Sequence, residues 1–322
     1  MVETYVDSFA YSLGERKWDV CDSVAAGRVV SSAEDLEAAG FRWHRVCEPS
    51  TSSYDLANRA VTQIADTVGL ADIDAIIYST CLPQNGSVGS TQEWQLTGDI
   101  KFLTHFPVSR LQDDFELDGS VVIGLNQQGC SGMLGSIRLA AAMFAVEAEW
   151  RRILCVTADR LPETAKYETA YNVMSDSAAA CVVTRKQGAF RYIGAHQITN
   201  GGLVQADDHE TIGTFFTYTH RVVTEALIRT GLRIGDLDWI VTQNTNDKAW
   251  QVLAGLLGVD IAKVCFTSLA DVAHAISADQ IINLVELIGS GRVRAGQRLA
   301  LVVAGFGMTY QCVILEAMED LR

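Results

Sequence analysis

Proline is nearly absent from this chain: four in 322 residues, against 48% apolar residues. That balance excludes a disordered or linker-dominated polypeptide and leaves an ordered globular one. Apolar runs stop short of the ~18 residues needed to cross a bilayer. The opening stretch, MVETYVDSFAYSLGERKW, has no basic segment followed by an apolar one, so no secretory signal is expected and the cytoplasm is the expected compartment. Basic residues are outnumbered, 25 Lys and Arg against 39 Asp and Glu, and the formal charge of −14 argues against nucleic acid or an anionic membrane as a partner. The eight cysteines contain no C-x-x-C pair, which speaks against a disulfide framework or a zinc site, and no metal is expected.

What the chain does have is length and rhythm. It can bury a large core, as two domains or as one duplicated unit. SYDLANRAVTQIADTVG is apolar at helical spacing and precedes the strand-like IDAIIYSTC; SGMLGSIRLAAAMFAVEAEW precedes RRILCVTA; SADQIINLVELIGSG precedes RLALVVAGFG. This alternation predicts an α/β fold with a mostly parallel sheet and crossover helices. Two phrases recur in the same order. TVGLADIDAIIYST is echoed by RTGLRIGDLDWIVTQ, and RRILCVTAD by QRLALVVAG. The echo predicts two duplicated halves, residues 1–187 and 188–322, with the seam near RKQGAF.

Four cysteines, Cys155, Cys181, Cys265 and Cys312, lie in runs that read as buried strands, the usual place of an inert thiol. Cys130 differs. It stands between Gly129 and Ser131 at the head of a long Ala-rich helix. A helix N-terminus favours a thiolate and leaves backbone N–H groups free for a developing oxyanion. Small residues at a helix packing contact explain the same glycines, so the residues alone leave both readings open.

Further landmarks surround Cys130. SDSAAACVV closes the first half, WIVTQNTN follows a strand of the second, and GFGMTYQCVI ends the chain. With the Cys–Ser–Gly, these resemble the β-ketoacyl-acyl-carrier-protein synthase III branch of the thiolase-like condensing enzymes over nearly the whole length. The resemblance implies a five-layered αβαβα fold of two similar halves, which agrees with the echo. It implies a cysteine that takes an acyl group from a thioester, assisted by a histidine and an asparagine of the second half. Here Gln243 falls where the family's histidine belongs, and His274, in SLADVAHAISADQ, where its asparagine belongs.

A glutamine donates a hydrogen bond but does not exchange a proton near neutral pH, whereas an imidazole does. His274 is therefore the expected general base. Ser277 and Gln280 match the S-x-x-Q capping box, which would start a helix at Ala278 and leave His274 in the preceding loop. Asp279 then has two readings, a first-turn acid favoured by the helix dipole or the partner of His274. His44, His105, His196, His209 and His220 read as structural or solvated.

The Cys–His–Asp set resembles acyltransferase-type relatives of specialised metabolism more than the housekeeping synthase. It implies transfer through an acyl-Cys130 thioester from an acyl-carrier protein or acyl-CoA to a small-molecule acceptor, with no tightly bound cofactor. Gly307 is carried over as a backbone oxyanion donor. Asn246, Lys248 and Arg42 are candidates for the phosphopantetheine or CoA arm, since Glu34 and Ala38 replace the family's Trp and Arg clamp. Family members are homodimers in which a loop of one subunit lines the other's tunnel, and Trp94 and Phe102 of STQEWQLTGDIKFLTHF lie in that region. Three alternatives stand beside this reading: a decarboxylative ketosynthase, a non-catalytic partner of a heterodimer, and a cysteine hydrolase.

Overall fold

The computed structural model describes residues 2–170 and 172–322, with the side chain of residue 208 left aside. The first half contributes strands β1 (Tyr5–Leu13), β2 (Ala75–Ser79), β3 (Val121–Leu125), β4 (Arg152–Asp159) and β5 (Ser177–Thr184). The second contributes β6 (Phe190–Thr199), β7 (Trp239–Thr242), β8 (Val264–Cys265), β9 (Arg298–Gly305) and β10 (Thr309–Ala317). Their spatial order, β8-β7-β9-β10-β6-β1-β5-β4-β2-β3, is one five-strand arrangement repeated and rotated. The two copies join where β1 meets β6, through the pairs Tyr5↔Arg191 and Val6↔Phe190.

The pairings correct the expectation of a mostly parallel sheet. β2 runs parallel to β3 and β4, and β7 to β8 and β9. The fifth strand of each half, β5 or β10, runs against both of its neighbours. The reason lies in the connections. β9 returns into β10 through a turn at residues 306–308, and no helix lies between β4 and β5 among the described residues, so neither connection is the crossover that parallel pairing requires.

Alternation along the strands builds five layers. Ile153, Cys155, Ala179, Cys181, Leu301 and Val313 face a shared interior, where α3 (Gly132–Met143) and α6 (Asp279–Gly289) lie between the two sheets. The opposite faces of β4 and β5 are covered by α1 (Ser53–Val68) and α2 (Pro107–Asp114), and those of β9 and β10 by α4 (Asp208–Thr230) and α5 (Asp247–Leu257). The central helices are apolar almost all round because both flanks are sheet. Met133, Leu134, Ile137, Ile281, Ile282 and Leu284 are fully buried, each contributing on the order of 1.5–3 kcal/mol of hydrophobic stabilisation. No helix among the described residues is long and apolar enough to cross a membrane. The segments that lead into α3 and α6 meet, Ser277 Oγ donating to Gly129 O.

Candidate active site

Cys130 stands in a short 3-10 turn, Gly129–Ser131, that feeds α3. Two residues of the approach are left-handed, Gln127 at φ 64° and Gly129 at φ 49°, and only the glycine adopts that region without cost. The glycines also permit close packing. A methyl on Gly129 would fall 2.5 Å from Phe306 N, one on Gly132 2.9 Å from Ser79 Cβ, and one on Gly305 2.6 Å from Cys130 N. The thiol is thus wedged between the end of β2 and the end of β9.

His274 arrives from the loop before α6. The backbone there is strained, with Ala273 at φ 58° and Ile276 at φ 54°, a cost of order 1–3 kcal/mol per residue that surrounding bonds must offset. They do: His274 N donates to Val173 O at 2.8 Å, Ser175 N to His274 O at 2.9 Å, and Ser177 Oγ to Ala275 O at 2.8 Å. The capping box does not form. Ser277 Oγ donates to Gly129 O and Gln280 Nε2 to Val302 O, because tertiary partners outcompete the local cap.

The result is a relay. Cys130 Sγ lies 3.3 Å from His274 Nε2, and His274 Nδ1 lies 2.5 Å from Asp279 Oδ2. Asp279 is fully buried; it also accepts from Asn244 N at 2.8 Å and Ala275 N at 2.7 Å. Two backbone donors, Asn244 N and Ala275 N, keep the carboxylate an acceptor, so Nδ1 carries a proton toward it and in the neutral imidazole Nε2 is the lone-pair nitrogen facing the thiol. Asp279 is at once a first-turn acid of α6 and the partner of His274.

The electrostatics around Cys130 depart from the helix-terminus expectation. Contact with the Cys81 thiol, then burial, then the negative groups around it, Asp159 and Asp279 among them, push the Cys130 thiol well above its ordinary value. These influences outweigh the helix end. The resting group is a thiol, so the imidazole must remove its proton during attack.

A cavity of about 110 Å³ opens above the thiol, walled by Leu82, Met174, Ile212, Phe215, Phe306 and Met308. Gln243 also faces it; its Oε1 accepts from Ala304 N at 2.5 Å, so its amide N–H2 is the end left for a ligand. Gly307, at φ 119°, does not line the cavity, whereas Gly305 and Phe306 do. Cys130 N and Phe306 N lie at the contact of the two glycines.

The remaining candidates lie elsewhere. Asn246 caps α5, accepting from Lys248 N at 3.0 Å, and both border a separate depression with Ser31, Leu36 and Ala38. Arg42 is exposed and stacks on Trp43. Trp94 and Phe102 are on a surface segment and do not reach the thiol cavity of their own chain.

Sequence reading passed over a buried amide cluster that aims the Asp279 partner. Asn283 Nδ2 donates to Asn244 Oδ1 at 2.9 Å, and Asn244 Nδ2 donates to Ser268 Oγ at 2.7 Å and Ala273 O at 2.8 Å. The signal was present as Asp279 and Asn283, two polar residues four apart on the buried face of a mainly apolar helix. It also passed over Cys81, which lines the same cavity as Cys130.

The family profile described as 3-oxoacyl-[acyl-carrier-protein (ACP)] synthase III matches residues 126–201, and that of its C-terminal part matches residues 227–317. This chain belongs to that family. As a synthase III relative it is a transferase-type condensing enzyme. It is 24% identical to the β-ketoacyl-[acyl-carrier-protein] synthase III of Chlamydia caviae, covering 87% of each chain. It is 24% identical to that of Sphingopyxis alaskensis, covering 92% of this chain and 94% of the relative. Among solved structures it superposes on the acyltransferase ChlB3 with TM-score 0.83 at 20% identity, over 99% of both chains. It superposes on the synthase III of Aquifex aeolicus with TM-score 0.81 at 20% identity, over 97% of this chain and 99% of that one.

Proposed function

We propose that this synthase III relative is an acyltransferase working through an acyl-Cys130 thioester. The observation that carries the reading is the Cys130–His274–Asp279 relay at the floor of an apolar cavity. Nε2 takes the thiol proton as the sulfur attacks the thioester of an acyl-carrier protein or CoA, and returns it to the departing pantetheine sulfur. The backbone N–H groups of Cys130 and of the residues 305–307 turn hold the oxyanion; Phe306 N is nearer this role than the Gly307 expected from resemblance. With Nδ1–H still held by Asp279, Nε2 is again a lone pair, suited to deprotonate a hydroxyl or amine acceptor. Gln243 orients the acyl carbonyl or the acceptor.

The same tautomer weighs against the decarboxylative ketosynthase, in which the histidine would have to donate to an enolate. The cavity is smaller than the ~150 Å³ that admits benzene, which favours acyl groups of a few carbons. Asn246 and Lys248, which border a depression separate from the thiol cavity, are assigned to the pantetheine or CoA arm in this scheme. Intact-protein mass spectrometry after incubation with a panel of short acyl-CoAs and acyl-carriers tests the scheme. The parent chain is expected to gain one acyl mass, and Cys130→Ala none; undiminished loading of Cys130→Ala would overturn it.

A homodimer completes the proposal. β3 is an edge strand, and Leu96, Ile100 and Phe106 nearby are exposed apolar side chains, a patch that a lone soluble chain rarely leaves open. A second copy there would bring Trp94 and Phe102 toward its partner's tunnel. Sedimentation at micromolar concentration is expected to give the dimer mass, and Ile100→Lys with Leu96→Lys the monomer; a monomeric parent chain refutes the placement.

A further inference from the structure

Of the eight cysteines, two line the acyl cavity, Cys81 and Cys130. Cys81 is half-buried and packs against the same cluster that contains Cys130. Its backbone is pinned. Cys81 N and Leu82 N donate to Asp159 Oδ1 at 3.0 and 2.9 Å, and Thr80 Oγ1 donates to the same oxygen at 2.6 Å. A fully buried carboxylate therefore holds the loop that places a second thiol on the wall of the cavity Cys130 lines. The proposed acyl transfer gives this thiol no task.

We propose that Cys81 and Cys130 form a redox-active dithiol, in which Cys81 captures an oxidised Cys130 as a reversible disulfide that closes the acyl site. The oxidant class is a peroxide. His274 Nε2 takes the Cys130 proton as the sulfur attacks hydrogen peroxide; the S–O bond forms, the O–O bond breaks, and the departing hydroxide takes the proton back as water. The Cys81 sulfur then attacks the sulfenic sulfur, forming the S–S bond and releasing a second water with the Cys81 proton. Two thiols lose two electrons to one peroxide. Its neighbour Cys81, with burial, holds the Cys130 thiol well above its ordinary value, which makes the reaction dependent on His274 and slower than in a dedicated low-pKa sensor. Closure would bring two sulfurs that line one cavity to ~2.05 Å, and it protects Cys130 from irreversible oxidation.

The fold supplies an internal control. Cys155 and Cys181 are direct cross-strand neighbours on β4 and β5, but both are fully buried and neither lines the acyl cavity, so peroxide in that cavity does not reach them.

The test uses the full chain, treated with hydrogen peroxide in modest excess, quenched, alkylated under denaturing conditions and mapped by peptide mass spectrometry. The expected product is about 2 Da lighter, with the Cys81 and Cys130 peptides joined and Cys155 and Cys181 reduced. Acyl loading falls by roughly tenfold and returns with dithiothreitol. In Cys81→Ser, compared with its own untreated control, Cys130 gains about 32 Da as the sulfinic acid and dithiothreitol does not restore loading. A disulfide between another pair, sulfinic Cys130 in the parent chain without any Cys81 linkage, or full recovery of Cys81→Ser would each overturn the dithiol. The mapping needs no acyl donor, so a chain that forms the disulfide but accepts no acyl group sinks the transferase reading and leaves this one standing.

Discussion

Asp279→Asn perturbs the relay with little change in shape. The carboxylate accepts from His274 Nδ1, Asn244 N and Ala275 N, and an amide cannot accept all three. With its oxygen toward His274 and Asn244, its N–H2 group opposes the Ala275 N–H. Turned over, the N–H2 group faces Nδ1 and drives the imidazole proton to Nε2, where it opposes the thiol. The first orientation leaves a buried donor unpaired at a cost of about 1–3 kcal/mol. The second removes the lone pair that accepts the Cys130 proton. Loss of a general base lowers the rate by about 10²–10⁴, equivalent to roughly 3–5 kcal/mol of barrier. Single-turnover acylation of Cys130, followed by intact mass on preparations whose thermal unfolding is also recorded, reads both effects. A folded Asp279→Asn variant that loads within about threefold of the parent rate, under about 1 kcal/mol of barrier, would refute the claim that Asp279 sets the tautomer.

Two further outcomes follow from the same geometry. Gln243→Ala strips the acceptor from Ala304 N and the donor from the cavity; stability should fall by about 1–3 kcal/mol, and transfer to the acceptor by roughly tenfold for the loss of a neutral hydrogen bond, and an unchanged rate would remove Gln243 from the site. Burial pushes Asp159 up to about 6, above the ~3.9 of an unfolded aspartate. The folded state then binds the proton more tightly, so stability is greatest below the unfolded value and falls as pH rises toward about 6, by roughly 3 kcal/mol. Asp159→Asn keeps an oxygen for Thr80, Cys81 and Leu82 and should flatten urea-unfolding stability across that interval; an unaltered slope would show that another group carries it.

The duplicated α/β architecture was legible because it rests on local periodicity. A strand buried on both faces must be apolar throughout and a covering helix apolar at 3.6-residue spacing, and the strand pattern repeats in RRILCVTAD and QRLALVVAG. The direction of β5 and β10 was not legible, since it depends on the path between strands. Cys130 and His274 were found through residue chemistry and resemblance, and the fold brings their side chains to 3.3 Å.

The capping box failed for a physical reason. Ser277 and Gln280 find partners in Gly129 and Val302, residues far away in sequence, and a local motif has no way to record that competition. Asn244 and Asn283 look like any loop and helix amide until the fold seals them from water and makes their hydrogen bonds obligatory. Cys81 reads as one more small core residue until β2 ends beside the head of α3. The sequence alone determined which elements form and which side chains can do chemistry, because these are properties of neighbours along the chain. Which nitrogen of His274 carries the proton, which backbone N–H faces the thiol, and that a second sulfur lines the same cavity were decided by tertiary packing, because each depends on separate loops that only the fold brings together in a buried space.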